Sequence, residues 1–389
     1  MQGDGESDFI FALILKMKAA TTLMVFCVSS LVSLGLVMMY SAGNIHKAGG
    51  TQFFVMQFIS FGIGLTVCIA AATLDYRILR KLVWVLFAIT IVLLVGVLFT
   101  KLTNGSRRWF KVGGFSFQPS ELAKLSLILA LAWYAEKYHV LMPRLWHGIL
   151  RPALFIGPVL ALVVVEPDVG TTILLGMVSM ILLVLGGVKL RYCLPPALIC
   201  VAALAYFIAN DGNRSERIRS WLHVEETKQG RGLQAWEARL AFGSGGWAGR
   251  GLGSSRQKLE RILPEHHTDF ILPIIGEELG LPATLGVTSL FAIFVCCGYR
   301  ISSRAPDTFG VLLGAGITFL VGTQAFVNIA VVTGVLPNKG LPLPFISYGG
   351  SNLIMMLGCV GVLLSIARHA VERPMEHSTE NPFSRAYSS

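Results

Sequence analysis

Charged side chains are scarce in this chain. They make up 14% of its 389 residues, against roughly 25% in soluble proteins. A soluble fold of this length needs a charged surface that this composition cannot provide, so that class is excluded. Acids are scarcer than bases, with 22 Asp and Glu against 32 Lys and Arg. In a soluble protein that excess would suggest nucleic acid. Here it reads as basic loops meeting anionic head groups or phosphates, and no nucleic-acid partner is expected. Cysteine is also sparse. Cys27, Cys68, Cys193, Cys200, Cys296, Cys297 and Cys359 all lie in or beside apolar runs. That placement excludes a disulfide framework and a cysteine metal site, and leaves small apolar fillers. There is no nucleotide-binding motif, internal repeat or sizeable soluble domain. The N-terminus has a short apolar run, Phe9 to Leu15, but acids precede it and no small-residue cleavage site follows. A cleaved signal peptide is therefore not expected.

What the chain has is long hydrophobic runs. Hydrophobic residues reach 54%, and the runs suit helices rather than barrel strands. The expected fold is an all-α integral membrane protein with ten transmembrane helices and one large extracytoplasmic loop. The spans fall at 19–40, 53–74, 82–100, 120–135, 152–165, 169–187, 193–210, 281–299, 309–336 and 345–367. The fourth and fifth are short of the roughly 20 residues a bilayer requires. The ninth is overlong and carries Gln324 and Asn328. Residues 1–18 are expected to form a cytoplasmic N-terminal segment, 19–370 a membrane domain that includes the large extracytoplasmic loop 211–268, and 371–389 a polar, disordered cytoplasmic tail. With the N-terminus inside, the inner segments hold fifteen basic residues and the short outer loops six. That asymmetry favours both termini in the cytoplasm. The loop 211–268 adds ten more, but translocation of long loops depends weakly on charge.

One polar stretch stands out against this background. Leu263-Pro264-Glu265-His266-His267-Thr268-Asp269-Phe270 runs into the apolar Ile271-Leu272-Pro273-Ile274-Ile275-Gly276-Glu277-Glu278-Leu279-Gly280. A carboxylate where a polar loop meets a bilayer is costly to desolvate and is a functional candidate by default. Asp269 is the candidate catalytic base. An Asp of pKa about 4 is a poor base, and partial burial would raise it usefully. The alternative is that Asp269, beside Thr268, only supports the start of the following helix. The neighbouring His266 and His267 do not share a helix face, so a two-His metal site is not expected.

Other constellations surround it. Before the fourth span the chain reads Gly105-Ser106-Arg107-Arg108-Trp109-Phe110 and then Phe117-Gln118-Pro119-Ser120-Glu121-Leu122-Ala123-Lys124. Pro119 and Glu121 suit a helix start, which is one account of Glu121. Lys124 lies on the same face one turn deeper, where a lone ammonium is expensive, so a Glu121–Lys124 pair facing a polar cavity is expected. Glu166-Pro167-Asp168-Val169-Gly170-Thr171-Thr172 joins the fifth and sixth spans, and Asp168 is there either as a cap or for function. Pro337-Asn338-Lys339-Gly340-Leu341-Pro342-Leu343-Pro344-Phe345-Ile346-Ser347-Tyr348-Gly349-Gly350-Ser351 is too rich in proline and glycine for a regular helix. It must be buried in protein or line a cavity, where Ser347 and glycine amides could donate to an anion. The run Gly243 to Gly253 resembles a phosphate loop only superficially, and a flexible loop is the expectation.

The Arg107-Arg108-Trp109 loop, Phe117 to Glu121, Glu166 to Thr172, Leu263 to Phe270, Gly276 to Gly280 and Pro344 to Ser351, six motifs in chain order over about residues 20 to 370, are similar to those of the SEDS family (shape, elongation, division and sporulation). Pro337-Asn338-Lys339-Gly340 and Ile275-Gly276-Glu277-Glu278 resemble its division member more than its elongation member. The chain departs from the pattern at Leu272, where many relatives carry a second Phe, and at Leu233-Gln234-Ala235-Trp236, where a Tyr-Gln pair is usual. The resemblance implies a peptidoglycan glycosyltransferase that polymerises lipid II at the outer face of the bacterial cytoplasmic membrane, for septal wall synthesis. It implies a class B penicillin-binding protein as transpeptidase partner, with other divisome proteins. It makes Asp269 the catalytic residue and puts Arg108, Glu121, Lys124, Asp168 and Lys339 in the substrate cavity. Arg108, Lys124, Lys339 and loop arginines such as Arg217 would hold the leaving pyrophosphate, with or without a divalent cation, Mg or Mn. A lipid II flippase and a non-catalytic scaffold for the transpeptidase are the competing readings.

The charge asymmetry predicts that single cysteines placed at Ser215 and at Ser303 label from opposite sides of the membrane with an impermeant thiol reagent. Labelling of both from outside overturns this topology.

Overall fold

The computed structural model describes residues 3–43, 50–100, 106–112, 115–210, 212–228, 230, 232–255, 268–338 and 340–379. Apolar segments in lipid satisfy their backbone internally only as helices or closed barrels, and here they form helices. In chain order these are α1 (Gly3–Gly43), α2 (Gly50–Thr73), α3 (Arg77–Val97), α4 (Pro119–Lys137), α5 (Arg151–Val165) and α6 (Val169–Leu185). There follow α7 (Leu190–Asn210), α8 (Gly212–Leu222), α9 (Leu233–Gly245), α10 (Ile271–Ser303), α11 (Thr308–Val332) and α12 (Gly350–Thr379). An antiparallel hairpin of β1 (Phe110–Val112) and β2 (Phe115–Phe117) precedes α4, with Phe110 opposite Phe117. Residues 380–389 of the tail lie outside the described residues.

Among the described residues, seven helical stretches are long and apolar enough to cross a membrane: Leu15–Ser41, Gln52–Thr73, Arg77–Val97, Trp146–Val165, Ile271–Ser303, Thr308–Val332 and Gly350–Val371. The three other expected spans fall on α4, which carries Glu121 and Lys124, on the 17-residue α6 and on α7. The fifth span is not short after all. A wide helical turn at Trp146–Leu150 runs directly into α5 and extends it.

Several span ends differ from expectation, each for a backbone reason. α10 starts at Ile271, ten residues before the expected 281, and bends at Gly280 (φ 79°). A β-carbon at Gly280 would lie 2.4 Å from the Trp247 carbonyl oxygen, so only glycine fits. Pro282 then restarts the helix, a position where its missing N–H costs nothing. At the other end of the site, α12 starts at Gly350 rather than 345. Pro342 and Pro344 force their preceding residues out of helical geometry, and Phe345 takes φ 66°.

The helices pack through small residues, as lipid offers no hydrophobic drive between them. α12 lies along α2, and a β-carbon on Gly361 would sit 2.3 Å from the Cys68 carbonyl oxygen. α11 runs through the centre, with Leu312, Leu313, Ile317, Leu320 and Val321 all buried. At one end of the bundle Asp307 caps α11, accepting from Gly310 N at 2.7 Å. It also accepts from Tyr76 Oη at 2.7 Å and Arg77 Nε at 3.1 Å. Burial pushes the Asp307 carboxyl up, but these hydrogen bonds and the Arg77 charge outweigh it and hold it below the usual range. Arg80 pairs with Glu136 at 3.1 Å nearby. The segments 74–82, 136–151 and 300–308, expected on one side of the membrane, thus meet at one end. Helices α8 and α9 of the large loop pack at the opposite end, against the turn after α11. Trp221 Nε1 donates to Gly334 O at 2.9 Å and Asn338 Nδ2 to Gln234 Oε1 at 2.6 Å.

Candidate active site

Asp269 sits in the turn that leads into α10, just before its first half, Ile271 to Glu278, in which every residue is buried. Phe270 occupies the N-cap position and offers no side-chain cap. The turn is held from outside the helix. Asn328 Nδ2 donates to the Asp269 carbonyl at 2.9 Å and to the Leu341 carbonyl at 2.7 Å. Ser347 Oγ donates to the Thr268 carbonyl at 2.6 Å and accepts from Leu343 N at 2.8 Å. The Asp269 carboxylate lies against Gly340, where a β-carbon would be 2.6 Å from Oδ2.

The irregular segment 340–349 is pinned along its length. Gln324 Nε2 donates to Pro342 O at 2.8 Å. Gln57 Nε2 donates to Ser347 O at 3.2 Å, and Gln57 Oε1 accepts from Gly349 N at 3.3 Å. Gln324 also turns toward α4. Its Oε1 accepts from Lys124 Nζ at 3.0 Å, and the same ammonium reaches Glu121 Oε1 at 2.8 Å and Oε2 at 2.9 Å. Asn352 Nδ2 completes the cluster on Glu121 Oε2 at 3.0 Å. Three acceptors meet the three ammonium protons, which is the condition for keeping a buried lysine charged.

A second polar group lies at the α5–α6 corner. Arg108 Nε donates to Glu166 O at 2.8 Å and Nη2 to Pro167 O at 2.6 Å, while Nη1 lies 3.8 Å from Asp168 Oδ2. Asp168 caps α6 through Thr171 N at 3.1 Å and accepts from Gln118 Nε2 at 3.2 Å.

The sequence matches the model of the FtsW/RodA/SpoVE cell cycle proteins over residues 21–372. The chain belongs to this family. It is 38% identical over 347 residues to the probable peptidoglycan glycosyltransferase FtsW of Trichlorobacter lovleyi, covering 87% of this chain and 91% of the relative. It is 35% identical over 350 residues to stage V sporulation protein E of Bacillus subtilis, covering 87% and 94%. Among solved structures, a chain of a peptidoglycan synthase complex that coordinates polymerization and crosslinking superposes with TM-score 0.75 at 28% identity, covering 89% and 97%. The rod shape determining protein RodA of Thermus thermophilus gives 0.67 at 29%, covering 89% and 95%.

Within this FtsW/RodA/SpoVE framework the structure brings together most of the residues singled out from sequence and redefines several. Glu121 and Lys124 pair as expected, but they face Gln324 and Asn352 and are only 3% and 1% exposed. Arg108 and Asp168 meet, and Asp168 does act as a cap. Ser347 commits its one proton to Thr268 O, so it staples two backbone segments and has no second proton for an anion. Lys339, the Arg217 side chain and Leu263 to His267 lie outside the described residues. The glycine run is no flexible loop. Arg250 N and Gly251 N donate to the Glu277 and Glu278 carbonyls at 2.9 Å each, and Leu281 N donates to Gly246 O at 2.9 Å. Ser255 Oγ reaches Glu277 Oε2 at 2.6 Å, and Ser41 Oγ reaches Glu278 Oε2 at 3.0 Å. These bonds seat the run on the α10 bend and spend the Gly249, Arg250 and Gly251 amides on protein. Among the described residues no three His, Cys, Asp or Glu side chains are grouped to hold a metal ion.

Sequence reasoning passed over Glu166. Its carboxyl is fully buried with no hydrogen-bond partner on either oxygen. Burial first, and the Asp168 charge second, push it up to about 8, against the pull of Arg108. Its proton is therefore part of the fold.

Two predictions follow from these burials. Breaking the Glu121–Lys124 pair on one side strands a buried charge at a cost of about 3–5 kcal/mol. Glu121→Gln and Lys124→Met are each expected to lower stability or activity sharply, and the double variant to cost less than their sum. Additive losses in that cycle would show that the two act independently. For Glu166, a folded-state pKa raised to about 8 means stability is present in full at acid pH and is lost as pH rises through that value. Between the ordinary carboxyl value of 4.5 and about 8, the melting temperature of the wild type should fall relative to that of Glu166→Gln. Parallel curves would refute a buried protonated Glu166.

Proposed function

We propose that this chain is a peptidoglycan glycosyltransferase that polymerises lipid II into β-1,4-linked glycan at the outer face of the cytoplasmic membrane, in septal wall synthesis. The reading is carried by the setting of Asp269. Its carboxylate stands on a turn before a buried half-helix, and side chains from α11 and the 340–349 segment hold that turn from outside. The names of the relatives as peptidoglycan glycosyltransferases FtsW support it.

The chemistry asks for such a group. The donor sugar is α-linked to pyrophosphate. Attack by the acceptor 4-hydroxyl at that carbon forms the new β-1,4 bond and expels undecaprenyl pyrophosphate with inversion. Asp269 takes the hydroxyl proton, and basic side chains offset the charge on the leaving group. Arg108, Lys339 and Arg217 are the candidates for the pyrophosphate. Glu121, Lys124, Asp168 and Ser347 shape the site through the bonds described above. The transpeptidase partner is a class B penicillin-binding protein, working with other division proteins. Ten crossings with both termini cytoplasmic put the large loop on the substrate side.

A flippase would require polar groups along the whole path. Here the buried polar side chains of α11, Gln324 and Asn328, cluster toward one end, and Leu312 to Val321 fill the rest with apolar residues apart from Thr318, whose hydroxyl donates to Gly314 O at 2.8 Å. That distribution favours the enzyme over the transporter.

Asp269→Asn keeps the side chain's size and removes its basicity. Given labelled lipid II and the transpeptidase partner, the purified variant is expected to bind both and to lose polymer synthesis by about 10²–10⁴-fold. Near-normal polymer from a well-folded Asp269→Asn protein removes Asp269 from catalysis and revives the transport and scaffold readings.

A further inference from the structure

Gln324 and Asn328 lie one turn apart on α11, both essentially fully buried. Gln324 serves the ion pair and Pro342. Asn328 serves the turn that carries Asp269. Both acceptors it meets are carbonyl oxygens, so its amide nitrogen must face them and the orientation of the group is determined. Asn328 Oδ1 is left buried with no hydrogen-bond partner. The residue is therefore present as a two-proton donor that ties the Asp269 carbonyl to the Leu341 carbonyl. With Ser347 on the Thr268 carbonyl, successive backbone carbonyls of the turn are each held by a side chain.

The Asp269 side chain itself is bounded on one side by Gly340. A β-carbon at 340 would lie 2.6 Å from Oδ2 and 3.7 Å from Cγ. Gly340 is absent from the glycines with positive φ, so its backbone is one that alanine can adopt. Glycine is needed there for space and not for conformation. The atom a methyl group would meet is the tip of a short side chain, which can turn away without moving any backbone. Ordinary contact begins at 3.4 Å, so the oxygen would retreat by about 0.8 Å, the difference between 3.4 and 2.6 Å. Misplacing a reacting group by about 1 Å costs on the order of 10²-fold in rate.

We infer that Asn328 and Gly340 are positioning residues for the Asp269 carboxylate: Asn328 anchors its backbone to the 340–341 segment, and the bare Gly340 backbone is the surface against which the carboxylate is set. The inference rests on the reading of Asp269 as the base.

The test compares full-length Gly340→Ala, Asn328→Leu, the double variant and Asp269→Asn, each purified with the transpeptidase partner and given lipid II. Gly340→Ala is expected to lower kcat about 10–100-fold, with KM and melting temperature close to wild type. Asn328→Leu keeps volume and removes both donors. It should lower kcat similarly, and the double variant should fall no further than the worse single change, because both act on one carboxylate. Wild-type kcat in Gly340→Ala beside an inactive Asp269→Asn overturns the positioning role alone. A loss confined to KM or melting temperature assigns both residues to packing and also overturns it. An active Asp269→Asn overturns the catalytic reading itself.

Discussion

Backbone that leaves helical geometry inside an apolar bundle must find hydrogen-bond partners there, because no water is at hand. The rest of this structure depends on how that constraint is met between Gly340 and Gly349. Prolines at 342 and 344 rule out a helix, and the orphaned carbonyls are collected by side chains from elsewhere: Gln324 takes Pro342 O, Asn328 takes Leu341 O, and Gln57 takes Ser347 O. These amides come from α2 and α11. The segment is thereby tied into the bundle while keeping a shape that no helix could give. Asp269 is set against that shape.

The buried charges divide into two kinds. Lys124 and Glu121 remain an ion pair because Gln324 and Asn352 supply the remaining acceptor and donor, so the desolvation of each charge is offset locally. Glu166 has no such partners and is held as the neutral acid. The same burial that makes Lys124 depend on Glu121 makes Glu166 depend on its proton. Gln324 links the ion pair to the 340–349 segment through one side chain, so the electrostatics of α4 and the geometry beside Asp269 are not separable parts.

The bend of α10 shows a different solution to the same problem. Gly280 interrupts the helix, and the carbonyls of Glu277 and Glu278 are taken by Arg250 N and Gly251 N of the glycine-rich run. Gly249 and Gly245 bring that run into backbone contact, and β-carbons there would lie 2.3 Å from Glu278 O and 2.0 Å from Gly276 O. What composition suggests is a mobile loop is a close-packed lid on a broken helix. The broken helix in turn places Asp269 ahead of a buried half-helix.

Much of this was legible in the sequence. Hydropathy alone determines a helical membrane protein, because a long apolar run has one way to satisfy its backbone in lipid. The spacing of Glu121 and Lys124 determines their pairing, since three residues on a helix bring them to one face and burial forbids either alone. The position of Asp269 at the end of a polar loop singles it out, and motif order carries the family. The tertiary fold alone decided the rest. Nothing local in Gly340 says that a carboxylate from position 269 will lie on it. Nothing in Asn328, one amide in an apolar span, names two carbonyls from separate segments as its partners. Ser347 could equally have faced a ligand, and the glycine run could have been slack. Glu166 became a buried acid only through the tertiary packing of the α5–α6 corner, where Arg108 from before α4 bonds its backbone carbonyl. Each of these depends on contacts between residues far apart in the chain, and local pattern holds no information about which distant backbone atom will be left needing a partner.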